Sequence, residues 1–204
     1  MNIRMSLGGF ALAVAGALAL SATGANRALA SQDSQPASGE TEVDLRPATV
    51  IAIRHAEKGD NDPRDPRLSE AGEARAQTLS EMLLYSGVTH IFSTDYQRTQ
   101  MTVATLAAAT GVAIETYNPR DLQALADILH ALPAGSVAVV SGHSNTTPSI
   151  VAALGGEAKN LTSYRDMDVL GEHEYNRMFL VTLPHAKSKA PVTTLELRYG
   201  AGTH

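Results

Sequence analysis

Cysteine is absent from this 204-residue chain, and so is tryptophan. The first absence excludes thiol nucleophiles, thiolate metal sites, disulfide frameworks and a lipidated cysteine behind an export signal. Aromatic residues are scarce as well, at 4%. Basic residues are not in excess either: the formal charge is −5, whereas a nucleic-acid partner calls for a basic surface. What is present is ordinary for one globular domain, with 44% hydrophobic and 18% charged residues. That composition excludes collagen, coiled coil and a disordered acidic tail, and the length gives ample core for a single domain.

The first thirty residues read as an export signal. Arg4 precedes an uncharged stretch from Met5 to Asn26 whose centre, LGGFALAVAGALAL, is apolar, and Ala28-Leu29-Ala30 supplies small residues at a cleavage site. A retained membrane anchor fits less well, because the apolar run is short of the ~20 residues a span needs and carries Gly8, Gly9 and Gly16. The expected organisation is therefore a signal peptide over residues 1–30, a flexible polar leader over 31–47 and one domain over 48–204. The expected location is periplasmic or secreted, without stable membrane insertion after cleavage.

Beyond the leader, strand and helix patterns alternate. Thr49–Ile53 is a short continuous apolar run rich in β-branched residues, the mark of a buried strand. Ser69 caps a helix expected to run to about Ser86, with Gly87 ending it. His90–Ser93 is a second strand, followed by a helix from Gln97 to Thr110 that stops at Gly111. Ala113–Tyr117 is a third strand, and Pro119 opens a helix ending near Leu132. Ser136–Ser141 is the clearest strand, and a helix from Asn145 to Leu154 ends at Gly155-Gly156. Met178–Leu183 and Thr194–Tyr199 read as further strands. This order predicts an α/β three-layer sandwich with a mostly parallel central sheet and helices on both faces.

In such sheets ligands bind beyond the carboxyl ends of the strands. Arg54 and His55 follow the first strand, Arg98 follows the second, and His143, Ser144 and Asn145 follow the Ser136–Ser141 strand. Arginine's planar fork matches phosphate oxygens, and helix N-termini near Gln97 and Asn145 would add backbone N–H donors. Histidine can attack phosphorus directly. The arginine charges should keep that imidazole neutral near pH 7.

Four segments in this order resemble the histidine phosphatase (phosphoglycerate mutase-like) superfamily. Ile53-Arg54-His55-Ala56-Glu57-Lys58 is similar to its Arg-His-Gly motif, with alanine in place of glycine as in a branch that carries Arg-His-Ala-Glu. Leu68-Ser69-Glu70-Ala71-Gly72 is similar to Leu-(Ser/Thr)-x-x-Gly. Ser93 to Thr99 is similar to Ser-x-x-x-x-Arg-(Ala/Thr), with Thr102 one turn on, and Gly142-His143-Ser144 resembles the second-histidine motif. The resemblance implies a phosphatase without metal or other cofactor that acts on a small phosphorylated substrate or a phosphoprotein. His55 would be the nucleophile, Arg54, Arg98 and His143 the phosphoryl clamps, and Ser144 and Asn145 further substrate contacts. Glu57 and Asp121 are the candidates for proton donor. Arg98 and His143 stand only 45 positions apart, shorter than the insertion of the family's mutases, which favours hydrolysis.

Two other classes compete. Gly142-His143-Ser144-Asn145-Thr146 half-matches a serine nucleophile elbow, with Asp166 or Asp168 and then His173 or His185 downstream. That reading leaves Arg54, His55 and Arg98 without a role. A non-catalytic phospholigand module would have no need of the nucleophilic histidine. His90, His130, His185 and His204 are assigned to structure or solvent, and His173 to an exposed loop. Tyr117-Asn118-Pro119-Arg120 is either a plain turn or a substrate contact.

Overall fold

The computed structural model describes residues 44–202. The expected signal segment and residues 31–43 of the expected leader lie outside them. The described chain runs β1 (Ala48–Arg54), α1 (Glu70–Leu83), β2 (His90–Ser93), α2 (Gln97–Thr110), β3 (Ile114–Thr116), α3 (Leu122–His130), β4 (Val137–Gly142), α4 (Thr146–Ala153), β5 (Thr162–Tyr164), β6 (Met167–Val169), β7 (Arg177–Leu183) and β8 (Thr193–Arg198).

Six strands form one sheet in the order β3-β2-β4-β1-β7-β8. The four from β3 to β1 are parallel, whereas β7 pairs antiparallel with β1 and β8 antiparallel with β7. The sheet is thus mixed, its parallel half carrying the helices. Because side chains alternate along a strand, β1 feeds two cores at once. Val50 and Ala52 pack with Phe92 and Val140 beneath α3 and α4. Ile51 and Ile53 pack with Ile91 and Val139 beneath α1 and α2. Burial on both faces explains why β1 reads as an unbroken apolar run.

The expected boundaries shift where local chemistry intervenes. Helix α1 starts as expected, with Ser69 accepting from the Gly72 N–H, but ends at Leu83, because Ser86 turns back to donate its N–H and Oγ to the Leu83 carbonyl. Pro119 does not open α3; Asp121 caps it by accepting from the Ala124 N–H at 3.2 Å. The β5–β6 hairpin was not expected. Its tight turn holds Arg165 and Asp166 at positive φ, and its strands, three residues each, are too short for a period-2 pattern to stand out.

Candidate active site

β1 ends at Arg54, and β4, its parallel neighbour, ends at Gly142; the His55 N–H bridges the two by donating to the Gly142 carbonyl at 2.8 Å. His55 is buried, and its Nδ1 lies 2.7 Å from the Ala56 carbonyl oxygen. A carbonyl can only accept, so Nδ1 carries the proton and a neutral ring presents an unprotonated Nε2. The Ala56 N–H donates to Thr102 Oγ1 (2.9 Å), and that hydroxyl donates to the Arg98 carbonyl (2.7 Å). Thr102 therefore ties the turn behind the histidine to the helix turn that carries Arg98. The Ala56 methyl sits in a small apolar cluster with Leu68 and Ala76, which accounts physically for alanine at this position.

Arg54 is oriented by residues more than a hundred positions away. Its Nη1 donates to the carbonyls of Gly171 and Glu172, both at 2.8 Å, and its guanidinium lies 4.1 Å above the Tyr175 ring. Its Nε is buried without a hydrogen-bond partner. Arg98 lies 4.4 Å from the Tyr96 ring and 3.6 Å from Asp65, and its Nη1 is likewise buried and without a hydrogen bond. His143 sits with its ring 5.5 Å from that of His55 and edge-on to Tyr96, its Nε2 3.0 Å from Thr94 Oγ1. Two histidines and two arginines from three strand ends thus converge, as expected from their order in the chain. The helix N-terminus at Gln97, expected to serve a ligand, is instead occupied by Asp65, whose carboxylate accepts the Gln97 N–H at 2.9 Å.

Around them is a cleft of about 750 Å³ whose lining includes Arg54, His55, Arg98, His143, Ser144 and Asn145. Glu57 and Asp121 do not line it. Glu57 is clamped by Arg75, whose Nη2 donates to it at 2.6 Å and whose Nε donates to both its oxygens. Burial raises its proton affinity, but the Arg75 hydrogen bonds and charge outweigh that and hold it below the usual carboxylate range. It braces the turn after β1 as a carboxylate. Arg75 also donates to the carbonyls of Tyr199 and Ala201, fastening the chain's last described residues to the same brace. Gly72 closes the arrangement: a Cβ there would stand 2.2 Å from the Glu57 carbonyl oxygen.

The serine-hydrolase arrangement does not form. Among the described residues no histidine hydrogen-bonds the Ser144 side chain, His173 is exposed, and His185 accepts from the Lys187 N–H. Tyr175, Tyr96 and Thr94 were missed in the sequence, because each acts through tertiary contact with a motif residue. Only Thr94 and Tyr96, lying inside the Ser93–Thr99 motif, carried a signal.

Burial holds the His55 imidazole down to about 3, with Arg54, His143 and Arg98 adding to the effect; His143 is held to about 4 in the same way, burial first and then Arg98 and Arg54. The arginine charges are thus a secondary cause of neutrality, not the main one. The ring resonances of both histidines should stay constant from pH 8 to 5 by NMR, and a ring titrating near the ordinary 6.5 would contradict this. Because folded imidazoles bind fewer protons than unfolded ones below pH 6.5, the stability they leave intact above that pH is lost as the pH falls toward 4.

The model of the histidine phosphatase superfamily (branch 1) matches residues 50–119, which include Arg54, His55 and Arg98. Over that third of its length the chain is similar to the histidine phosphatase superfamily. Solved structures agree on the fold. The protein histidine phosphatase SixA complexed with tungstate is 14% identical with a TM-score of 0.56, covering 74% of this chain and 96% of that one. Mycobacterial hydrolase 2 is 13% identical with a TM-score of 0.54, covering 78% and 93%. The mycobacterial glucosyl-3-phosphoglycerate phosphatase is 13% identical with a TM-score of 0.53, covering 76% and 99%. No curated protein sequence matches the chain.

Proposed function

We propose that this protein is a member of the histidine phosphatase superfamily, an exported phosphomonoester hydrolase that passes the phosphoryl group through His55. The observation that carries the reading is a pair of buried donors without a hydrogen bond, Arg54 Nε and Arg98 Nη1 (the latter with only the Asp65 carboxylate, at 3.6 Å), in the same cleft as an imidazole whose free nitrogen is Nε2. A buried donor without a partner is costly, and a phosphoryl oxygen would satisfy each. Nε2 attacks phosphorus, the bond to the ester oxygen breaks, and the leaving oxygen takes a proton from solvent in the open cleft. Water then attacks the phosphohistidine, the P–N bond breaks, the proton that water loses returns to solvent, and His55 returns neutral. Arg54, Arg98 and His143 neutralise the oxygen charge that develops in both steps. The short connection between Arg98 and His143 leaves the cleft open to water, which favours hydrolysis over transfer to a second acceptor.

Since cationic side chains do the neutralising, phosphatase activity is expected to survive exhaustive EDTA treatment. Activity lost on chelation and restored by a divalent ion would require a different mechanism. Among the described residues no three His, Asp or Glu side chains gather where they could hold a metal. Export rests on the Arg4-to-Ala30 pattern alone. Mass spectrometry of the exported protein should find Ser31 at the N-terminus, and a cytoplasmic protein retaining residues 1–30 would sink that part of the proposal.

A further inference from the structure

The four phosphoryl-binding side chains account for only part of the cleft. Three more cations line it: Lys58 and Arg64 from the β1–α1 loop, and Arg120 from the β3–α3 loop. None has a carboxylate within ion-pair distance among the described residues, whereas the buried Arg75 and Arg177 are both paired. Two acids, Asp60 and Asp62, line the same cleft. Asp62 is engaged by its own loop, accepting the N–H groups of Arg64 (2.7 Å) and Asp65 (2.9 Å).

The backbone beneath the cations is held in place. Arg64 is pinned by the Asp62 turn, and the Arg120 N–H is pinned in the same way by Asn118 Oδ1 at 3.0 Å. The β1–α1 loop is closed by a Lys58–Leu68 bridge and by the Gly59 N–H on the Arg67 carbonyl, and Asp65 fastens it to the start of α2. Apolar lining is confined to prolines and Tyr96, so the walls offer little to an acyl chain or an aryl leaving group. In a chain of net charge −5, the cleft is a local reversal of sign, and such a region concentrates anions.

We infer that the substrate carries a second anionic group, a carboxylate or another phosphate, which Lys58, Arg64 and Arg120 hold beyond the scissile phosphoryl. The inference rests on the phosphatase reading for which end of the ligand enters first. The specificity it gives is electrostatic and multidentate, because three cations on fixed loops can surround one anion without any one of them being buried.

Binding of inert phosphonates to the full chain tests this without requiring turnover. Phosphonoacetate, 3-phosphonopropionate and 4-phosphonobutyrate would be compared by calorimetry with alkylphosphonates of equal length, and bisphosphonates of the same lengths form a second arm. At least one dianionic-headed ligand should bind ten or more times tighter than its alkyl counterpart, with an advantage that shrinks as salt is raised. Tightening in the bisphosphonate arm alone identifies the second group as phosphate; tightening in both arms shows that a carboxylate suffices. The triple variant Lys58→Gln, Arg64→Gln, Arg120→Gln should bring the ratio toward one, while Lys187→Gln with Lys189→Gln, both outside the cleft, should preserve it. Equal affinities across every pair would overturn the inference even in an active phosphatase. A preserved ratio in a protein that hydrolyses no phosphomonoester would instead refute the phosphatase reading and leave the subsite standing.

Discussion

Replacing His55 with alanine should abolish turnover and remove any trappable phosphoenzyme. Quenching the wild-type protein during turnover without acid should capture a phosphoryl group on His55 that is labile to acid and stable to base. The geometry behind this is the Nδ1–Ala56 carbonyl contact, which commits the ring to a single tautomer and leaves Nε2 as the one nucleophilic atom. Arg98→Ala and His143→Ala keep that atom but lose a charge-directed donor, so each should slow the reaction about 10²- to 10³-fold. Ser144→Ala should be mild. The rival classes invert this pattern: a serine nucleophile makes Ser144→Ala fatal and His55→Ala tolerable, and a binding module retains phosphate affinity with no turnover in any variant. A fully active His55→Ala protein would overturn the assignment.

The second large effect is expected far from the chemistry. Arg177 is fully buried in β7, with Nε and Nη2 each 2.8 Å from a Glu196 oxygen, Nη1 3.2 Å from Glu174, and further hydrogen bonds to the Asn160 and Lys159 carbonyls. Arg177→Ala strands the Asn160 and Lys159 carbonyls and leaves Glu174 and Glu196 with the exposed Arg198 alone as a cationic partner, at 3.5 and 3.4 Å. Breaking a buried pair by removing one partner costs about 3–5 kcal/mol, and the lower end applies because Glu174 and Glu196 keep 31% and 27% of their side-chain surface exposed. Urea denaturation should register that loss. The site should feel it too, since Glu174 also accepts the Gly171 N–H at 2.9 Å, and Gly171 is one of the two carbonyl anchors of Arg54. Unchanged stability would mean that the network contributes little net energy.

How much of this was legible in the sequence depended on whether a signal was local. β2 and α2 lie where the pattern put them, because Gly111 adopts φ 73° at the end of α2, a conformation glycine accepts without strain. The convergence of Arg54, His55, Arg98 and His143 was legible because parallel strands deliver their carboxyl ends to one edge. The pairing of Glu57 was not legible, because its partner, Arg75, is eighteen positions away on another element and no spacing rule links the two. The tyrosine beneath Arg54 was invisible for the same reason. The antiparallel half of the sheet was visible as strands, but its direction was not, since direction is set by connections rather than by composition.

That half of the sheet changes what counts as the functional unit. The four motifs all lie between Arg54 and Ser144, so a fragment ending at Gly156 would contain every residue assigned to the chemistry. It would lack β7, the strand that covers one whole edge of β1, together with the Gly171 and Glu172 carbonyls and the Tyr175 ring that aim Arg54. Such a fragment would spell the enzyme correctly and still be mute, because its first arginine would have nothing to lean on. Motif boundaries therefore mark where the vocabulary of this protein ends, and the grammar extends to the last strand.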